Sequence, residues 1–246
     1  DTHYAPDSLR NDYEVRVRDE ARMSLSYEYN GRIITVNKGT RKAEEEEKPP
    51  GFVFCCSCNR WLFGEKRIGD HLNPDSNRSC YHGATKDDIV RGVQLYTKSN
   101  KDVISIECPV PDYLAREDHE SFYVSLCTAI LRGLQIALNV DESEVSGFHA
   151  VNPRGEGPFR IILYETCEGG SGIVKALTEE NRLKSVFKRA RELLHENDAD
   201  ACEKACYECL CSYYNQQHHD ILDRRLVLPF LQSLEELSTA LLCNEA

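Results

Sequence analysis

Four thiols fall within the segment "CEKACYECLC": Cys202, Cys206, Cys209 and Cys211, spaced C-x3-C-x2-C-x-C. Thiols this dense serve as disulfides, nucleophiles or metal ligands. A soft, borderline cation suits a set of thiolates, and zinc is the default occupant. Iron–sulfur clusters also take four cysteines, but at other spacings. The first three residues fit one side of a helical turn or a tight loop. Cys211 is the nearest fourth donor, although it lies only two positions beyond Cys209; His219, His195 and Cys167 are the alternatives.

A second donor set lies upstream. Cys55 and Cys58 form a C-x2-C knuckle, with His71 and Cys80 following as C-x2-C-x12-H-x8-C. These are four N/S donors suited to a closed tetrahedral zinc site. Cys56 could replace Cys55, and His82 competes with His71. The surrounding stretch, 51–88, has too few apolar residues to fold by burial alone, so a metal would supply its folding energy.

Composition supports metal over disulfide chemistry. The chain has 246 residues and 12 cysteines, and it begins without a secretory signal pattern. Clustered cysteines in a reducing, cytoplasmic setting more often bind metal. The net charge of −11 offers no global attraction to nucleic acid, so any such contact must be local. No apolar run approaches the ~18 residues that span a bilayer, so no membrane partner is expected. The first residue is not Met, and Met23 is the sole methionine. A piece of a longer protein is the expectation.

Two other stretches invite chemistry. "LYETCEGGSGIVKAL" (163–177) reads as strand, glycine turn and helix, with Gly169, Gly170 and Gly172 in the turn. Exposed N–H groups at such a helix start can hold an anion. The turn lacks the Gly-Lys-Ser/Thr of a P-loop and the G-x-G-x-x-G of a dinucleotide site, and close helix–strand packing is the plainer role. In "SYYNQQHHDILDR", Asn215, Gln216, His219, Asp223 and Arg224 are polar groups beside the cysteines. Asp223 and Arg224 are expected to brace the metal corner by hydrogen bonding. A hydrolytic site around His218, His219 and Asp220 is the rival reading, and it needs an open coordination position. The chain contains no Walker A, H-E-x-x-H or G-x-S-x-G motif.

These residues need a scaffold. Residues 1–22 are polar and irregular, and 24–37 reads as a hairpin turning at Asn30-Gly31. An acidic connector ending in Pro49-Pro50 follows. Beyond the 51–88 insertion, 89–97 and 102–110 read as strands and 117–140 as the clearest amphipathic helix. Segments 144–152 and 159–165 return to strand character, the second apolar enough for a central strand. A helix is expected directly after the glycine turn, another over 180–197, and a last one over 226–242. Leu183, Val186, Phe187, Ala190, Leu193 and Leu194 face inward, which directs Arg182, Lys184, Lys188, Arg189 and Arg191 mostly outward. The expected class is α+β: a mixed sheet packed with helices, a zinc-knuckle insertion near the start and a second cysteine-rich zinc site near the end. The expected divisions are 1–50 (hairpin and acidic linker), 51–88 (knuckle) and 89–246 (α/β core).

Taken together, "LYETCEGGSGIVKAL" and "CEKACYECLCSYYNQQHHDILDR" resemble the MrfA zinc-binding (MZB) family, a C-terminal accessory domain of DEAD/DEAH-box superfamily 2 helicases. The resemblance rests on Tyr164, Glu165, Gly169, Gly170, Gly172, Cys202, Cys206, Tyr207, Cys209, Leu210, Ser212, Tyr213, Asn215, Gln216, His219, Leu222, Asp223 and Arg224. "GFVFCCSCNRW" with His71 and Cys80 is similar to the upstream knuckle of some members. This chain departs from the pattern in having Asp200 where many relatives carry a further cysteine, and Cys167 where a small residue is usual. The resemblance implies two zinc ions and partnership with helicase core domains in cis or in trans. It also implies weak DNA contact, in DNA repair or phage defence. The helicase would hydrolyse ATP and this chain would be a non-catalytic accessory, with Lys188, Arg189 and Arg191 as the expected strand-facing residues.

Overall fold

The computed structural model describes residues 2–5, 10–18, 20–39, 51–150, 160–167, 169–198 and 202–242. The acidic run before Pro49 and the position of Asp200 lie outside them. The elements in order are β1 (Thr2–Ala5), β2 (Asn11–Val17), β3 (Glu20–Asn37), β4 (Phe52–Cys55), β5 (Arg60–Leu62), α1 (Glu65–Leu72), β6 (Ile89–Val93), β7 (Leu95–Glu107), α2 (His119–Leu138), β8 (Val145–Ala150), β9 (Arg160–Glu165), α3 (Glu180–Leu193), α4 (Arg224–Ser233) and β10 (Leu237–Leu242). The chain is α+β, and it divides into two units: Asp1–His3 with Ile34–Lys98, and Tyr4–Ile33 with Ser99–Ala246.

In the larger unit a seven-stranded sheet has the order β10-β2-β3-β7-β9-β8, with β1 paired to β3. β9 lies between β7 and β8, antiparallel to both. Its apolar run is explained by burial on both faces. Ile161 and Leu163 join the main core beneath the helices, whereas Ile162 packs with Val103 and Ile33 on the other side. α2 is long and apolar enough to cross a bilayer by length and composition alone, yet Phe122, Tyr123, Leu126, Ile130 and Leu134 bury it in the core. Its contact with α3 is close at Gly133, where a Cβ would stand 2.5 Å from the Val186 carbonyl oxygen. α2 stops at Asn139, whose φ of 53° is left-handed.

Three expectations about elements are corrected. The N-terminal stretch is not irregular, because β1 and β2 occupy it. Asn30-Gly31 does not turn a hairpin; β3 runs straight through it. Asn30 does take a positive φ of 62°, but its N–H donates to the buried Asp102 carboxylate at 3.1 Å, and Gly31 passes Val103 where a Cβ would sit 3.0 Å from Cγ2. The dipeptide therefore admits a neighbouring strand, and the actual reversal lies between β2 and β3, where Val17 pairs with Glu20 and Arg18 has φ 49°. Finally, the C-terminal helix ends at Ser233, and Leu237–Leu242 instead pairs antiparallel with β2. An unpaired edge of β2 offers that segment backbone partners that a further helical turn would not.

In the smaller unit β4 is the middle of a three-stranded sheet, β5-β4-β6. The sheet's core is slight: Cys55, Cys58, Leu62, Ile68, Cys80 and Ala84, with Val53, Leu72 and Ile89 against them. Half of its fully buried apolar members are cysteines.

Candidate metal centres

The upstream centre forms from a strand, a turn and a helix. Cys55 closes β4, and the chain reverses so that the Asn59 N–H donates to the Cys55 carbonyl at 2.9 Å. Asn59 adopts φ 58°, a left-handed state that turns the chain so that Arg60 pairs back with Cys55. His71 occupies the last turn of α1, 3% exposed, and its carbonyl accepts the Cys80 N–H at 2.8 Å. The four expected donors, Cys55, Cys58, His71 and Cys80, are brought together with all ligating atoms within 4.8 Å of one another. Cys56 points elsewhere, exposed, with its N–H on the Asp88 carbonyl. His82 is exposed and stacks on Tyr81, 4.3 Å between ring centroids.

The downstream centre differs from expectation in one ligand. The clustered atoms belong to His195, Cys202, Cys206 and Cys209, again within 4.8 Å. Cys206 and Cys209 form a knuckle in which the Cys206 N–H donates to the Cys209 sulfur at 3.1 Å. His195 follows the last turn of α3 at φ 56°, and its Nε2 lies 3.4 Å from the Cys206 sulfur. Cys211 is not among the clustered donors. Its N–H donates to the Cys206 carbonyl and its own carbonyl accepts from Arg132 at 3.0 Å. His219 is also engaged elsewhere, with Nε2 at 3.0 Å from the Ser212 carbonyl and 2.9 Å from Asn215 Oδ1. Cys167 is exposed.

The geometry fits zinc. Donors bound to one tetrahedral ion at about 2.3 Å for sulfur and 2.0–2.1 Å for nitrogen stand roughly 3.8 Å apart for S···S and 3.5 Å for S···N. Cys202 and Cys209 sulfurs are 3.7 Å apart, Cys206 and Cys209 3.5 Å, and Cys58 and His71 Nε2 3.4 Å. All of these far exceed the ~2.05 Å of a disulfide. Proton affinities are split within each cluster. Burial pushes Cys58 up to about 11 and Cys209 up to about 12. For Cys206 burial also raises the value, but the hydrogen bond with His195 and others outweigh it and bring it down to about 7. Burial opposes the shift at Cys80 as well, where the backbone N–H groups of His82 and Ala84 lower it. Each centre thus pairs a thiol held below the ordinary value, Cys80 or Cys206, with one that burial holds above it, Cys58 or Cys209, which a bound cation would deprotonate. Among the described residues there are two such four-donor clusters, consistent with two zinc ions.

The motif residues around the downstream centre sort into distinct tasks. Arg224, buried, donates to the Cys202 carbonyl and to the Leu194 carbonyl, bracing both limbs of the cluster. Asp223 does not touch the cluster; it caps α4 by accepting the Arg225 N–H at 2.9 Å. Asn215 bridges the Ser212 N–H and the Leu210 carbonyl, both at 2.8 Å. Gln216 is exposed.

The glycine turn already has its anion. Glu165, 1% exposed, accepts the Ser171 N–H, the Ser171 hydroxyl at 2.8 Å and the Val174 N–H at 3.1 Å. Gly169, Gly170 and Gly172 have φ of 89°, 64° and 81°, and a Cβ at Gly170 would meet Asp102 Oδ2 at 2.5 Å. The turn leads to a single short 3-10 turn, Lys175–Thr178, before α3. Close packing, rather than capture of an external anion, explains it.

The expected basic face of α3 is only partly outward. Arg191 is 8% exposed and sits between Glu196 and Glu235, at 3.3 and 3.6 Å. Lys188 and Arg189 remain exposed, and both lie beside Glu192, at 3.9 and 2.7 Å.

Residues 126–210 match the family model of the MrfA Zn-binding domain, a stretch that contains all four downstream donors. Among solved structures, the chain is similar to one described as "Crystal Structure of DUF1998 helicase MrfA bound to DNA", with a TM-score of 0.52 and 12% identity. The likeness covers 94% of this chain and 26% of that one, and at this identity it shows the fold alone. The chain therefore spans about a quarter of that neighbour's length. Comparison with curated proteins gives no match.

Proposed function

We propose, starting from the MrfA Zn-binding domain matched by residues 126–210, that this chain is a zinc-stabilised accessory module of an ATP-dependent DNA helicase. The observation that carries this reading is the His195–Cys202–Cys206–Cys209 cluster inside the matched segment. Zinc supplies a fixed, redox-inert cross-link when bound. The chain's own groups do the rest: Arg224 orients the cysteine loop against the end of α3, and Asp223 starts α4 beside it. Four protein donors leave no coordination position for substrate or water, which favours a scaffold over the rival hydrolase.

Its role is to dock on the helicase core domains, in cis or in trans, and to help guide a DNA strand. DNA repair or phage defence is the setting proposed for that helicase. The test uses the zinc-loaded chain and the core domains of its parent or neighbouring helicase. The expected result is binding between them and altered strand displacement when the chain is omitted. Absence of both effects overturns the proposal. DNA cleavage by the chain alone, abolished by His219→Ala, would establish the hydrolase instead.

A further inference from the structure

The seven-stranded sheet ends at β8, which pairs with β9 on one side only. The register fixes which of its backbone groups are left over. Val145 lies opposite Glu165, so Glu144 lies opposite Thr166, whose N–H donates to the Glu144 carbonyl at 2.9 Å. Hydrogen-bonded pairs alternate along an antiparallel ladder. Ser146, Phe148 and Ala150 therefore bond to β9, and the N–H and C=O groups of Val145, Gly147 and His149 point away from it. Among the described residues nothing pairs with those groups. Native sheet edges are commonly protected by a lysine, a proline or a bulge. β8, "VSGFHA", has none of these, and its register runs unbroken over six pairs.

Negative charge stands at both ends of this edge. Asp141, Glu142 and Glu144 come just before β8. Glu117, Asp118 and Glu120 lie around the start of α2, where Glu120 acts electrostatically on His149, near the far end of the strand. Among the described residues none of these six carboxylates has a Lys or Arg partner. Arg160, opposite Ala150 on the ladder, is held by Glu107 instead. The charge pattern selects the occupant. A phosphate chain would be repelled at both ends. A second copy, paired in either direction, would set acidic ends against acidic ends. An extended polypeptide with Lys or Arg at its ends satisfies the backbone groups and the carboxylates together. Phe148 and Ala150 are partly buried against the Ile33–Val103–Ile162 cluster, so an apolar residue beside them would extend it.

We propose that the outer edge of β8 accepts an extended, Lys/Arg-bearing segment of a partner protein as an eighth strand of the sheet. The inference deepens the accessory-module reading, on which it rests for the identity of that partner, the helicase core.

The experiment uses the zinc-loaded full chain and, as probe, the labelled peptide acetyl-Lys-Lys-Val-Thr-Val-Thr-Val-Lys-Lys-amide. Saturable binding by anisotropy, weakening as salt is raised, is the expected result. Hydrogen exchange followed by NMR locates it. With peptide at about ten times its Kd, the Gly147 and His149 amides exchange about tenfold more slowly. Those of Ser146 and Phe148, already bonded to β9, change less. Glu117→Gln, Glu120→Gln and Glu142→Gln combined weaken binding and flatten its salt dependence. His149→Pro removes one outward N–H without touching the ladder and weakens binding roughly 2- to 13-fold, the scale of one backbone hydrogen bond, whereas His149→Ala does not. Binding that leaves Gly147 and His149 unprotected, or that keeps full affinity in these proline and glutamine variants, overturns the proposal. So does failure to bind at low salt. Self-association of the chain that protects the same two amides also overturns it and assigns the edge to a second copy. Docking on the helicase core, measured separately, divides the two readings. A core that docks on His149→Pro as tightly as on wild type refutes the β8 edge and leaves the module standing; a chain that takes up the peptide in this way but not the core keeps the edge and loses the module.

Discussion

Arg224 donates to the carbonyl oxygen of Cys202 through two nitrogens, Nε at 3.0 Å and Nη2 at 2.8 Å. Its Nη1 reaches the Leu194 carbonyl at 2.9 Å, so one planar side chain spans the residue before His195 and the first cysteine of the loop. A lysine ammonium keeps the charge but cannot reproduce the fork. Arg224→Lys is expected to lower stability by about 2–3 kcal/mol, the scale for buried hydrogen bonds to a charged group. Urea unfolding of the zinc-loaded chain checks this, and zinc should pass to a chelator faster in the variant. An unchanged midpoint would refute the bracing role.

The ligand assignment has a direct readout in metal stoichiometry. Wild-type chain should hold two zinc ions, one for each four-donor cluster. Cys206→Ser and His195→Ala each reduce the count to one, whereas Cys211→Ser leaves it at two. Loss of metal in Cys211→Ser, with His195→Ala unaffected, would restore the fourth ligand expected from spacing alone.

The three turn glycines should respond unequally. Gly169 and Gly172 face open space, so alanine there meets only the positive φ, at a cost of about 1–2 kcal/mol. Gly170→Ala adds a collision with the Asp102 carboxylate and should be the most destabilising of the three. Thermal or urea midpoints of the three variants rank them. Equal losses would show that contact with Asp102 does not matter.

Alkaline pH should weaken the fold. Burial pushes the Cys108 and Cys127 thiols up to about 12, from an ordinary value of 9.0. A raised folded-state value means that the stabilisation is whole below pH 9.0 and declines as pH climbs toward about 12. Each thiol contributes a slope of about 1.4 kcal/mol per pH unit within that window. Cys127→Ala should therefore show a shallower decline, whatever its starting stability. Parallel slopes for the variant and wild type, measured by urea unfolding, would count against this.

The two metal centres were not equally legible. Cys55, Cys58, His71 and Cys80 lie within one short segment, where a knuckle, one helix and one loop suffice to converge them. Three of the downstream ligands were equally local. His195 stands only as one of three alternatives to Cys211, because a histidine just past a helix resembles any polar helix end, and only the return of the cysteine loop gives it a partner. Arg191 misled for a related reason. Its place on the helix is beside the outward stripe, but Glu196 and Glu235 approach from other segments and cover it. Asn30-Gly31 carries the chemistry of a tight turn, and it was spent on admitting Asp102 and Val103 inside a long strand.

Side-chain chemistry and local spacing by themselves established that this protein binds metal, that β9 is an inner strand and that α2 and α3 each present an apolar stripe. Those properties depend on a few neighbouring residues and on the periods of helix and strand. The final donor at the downstream cluster, the partner of β10 and the place of β8 at the end of the sheet were decided only by tertiary structure. They depend on which distant segment arrives at a given backbone edge or side chain, and no residue carries that information in its own type or in its nearest neighbours.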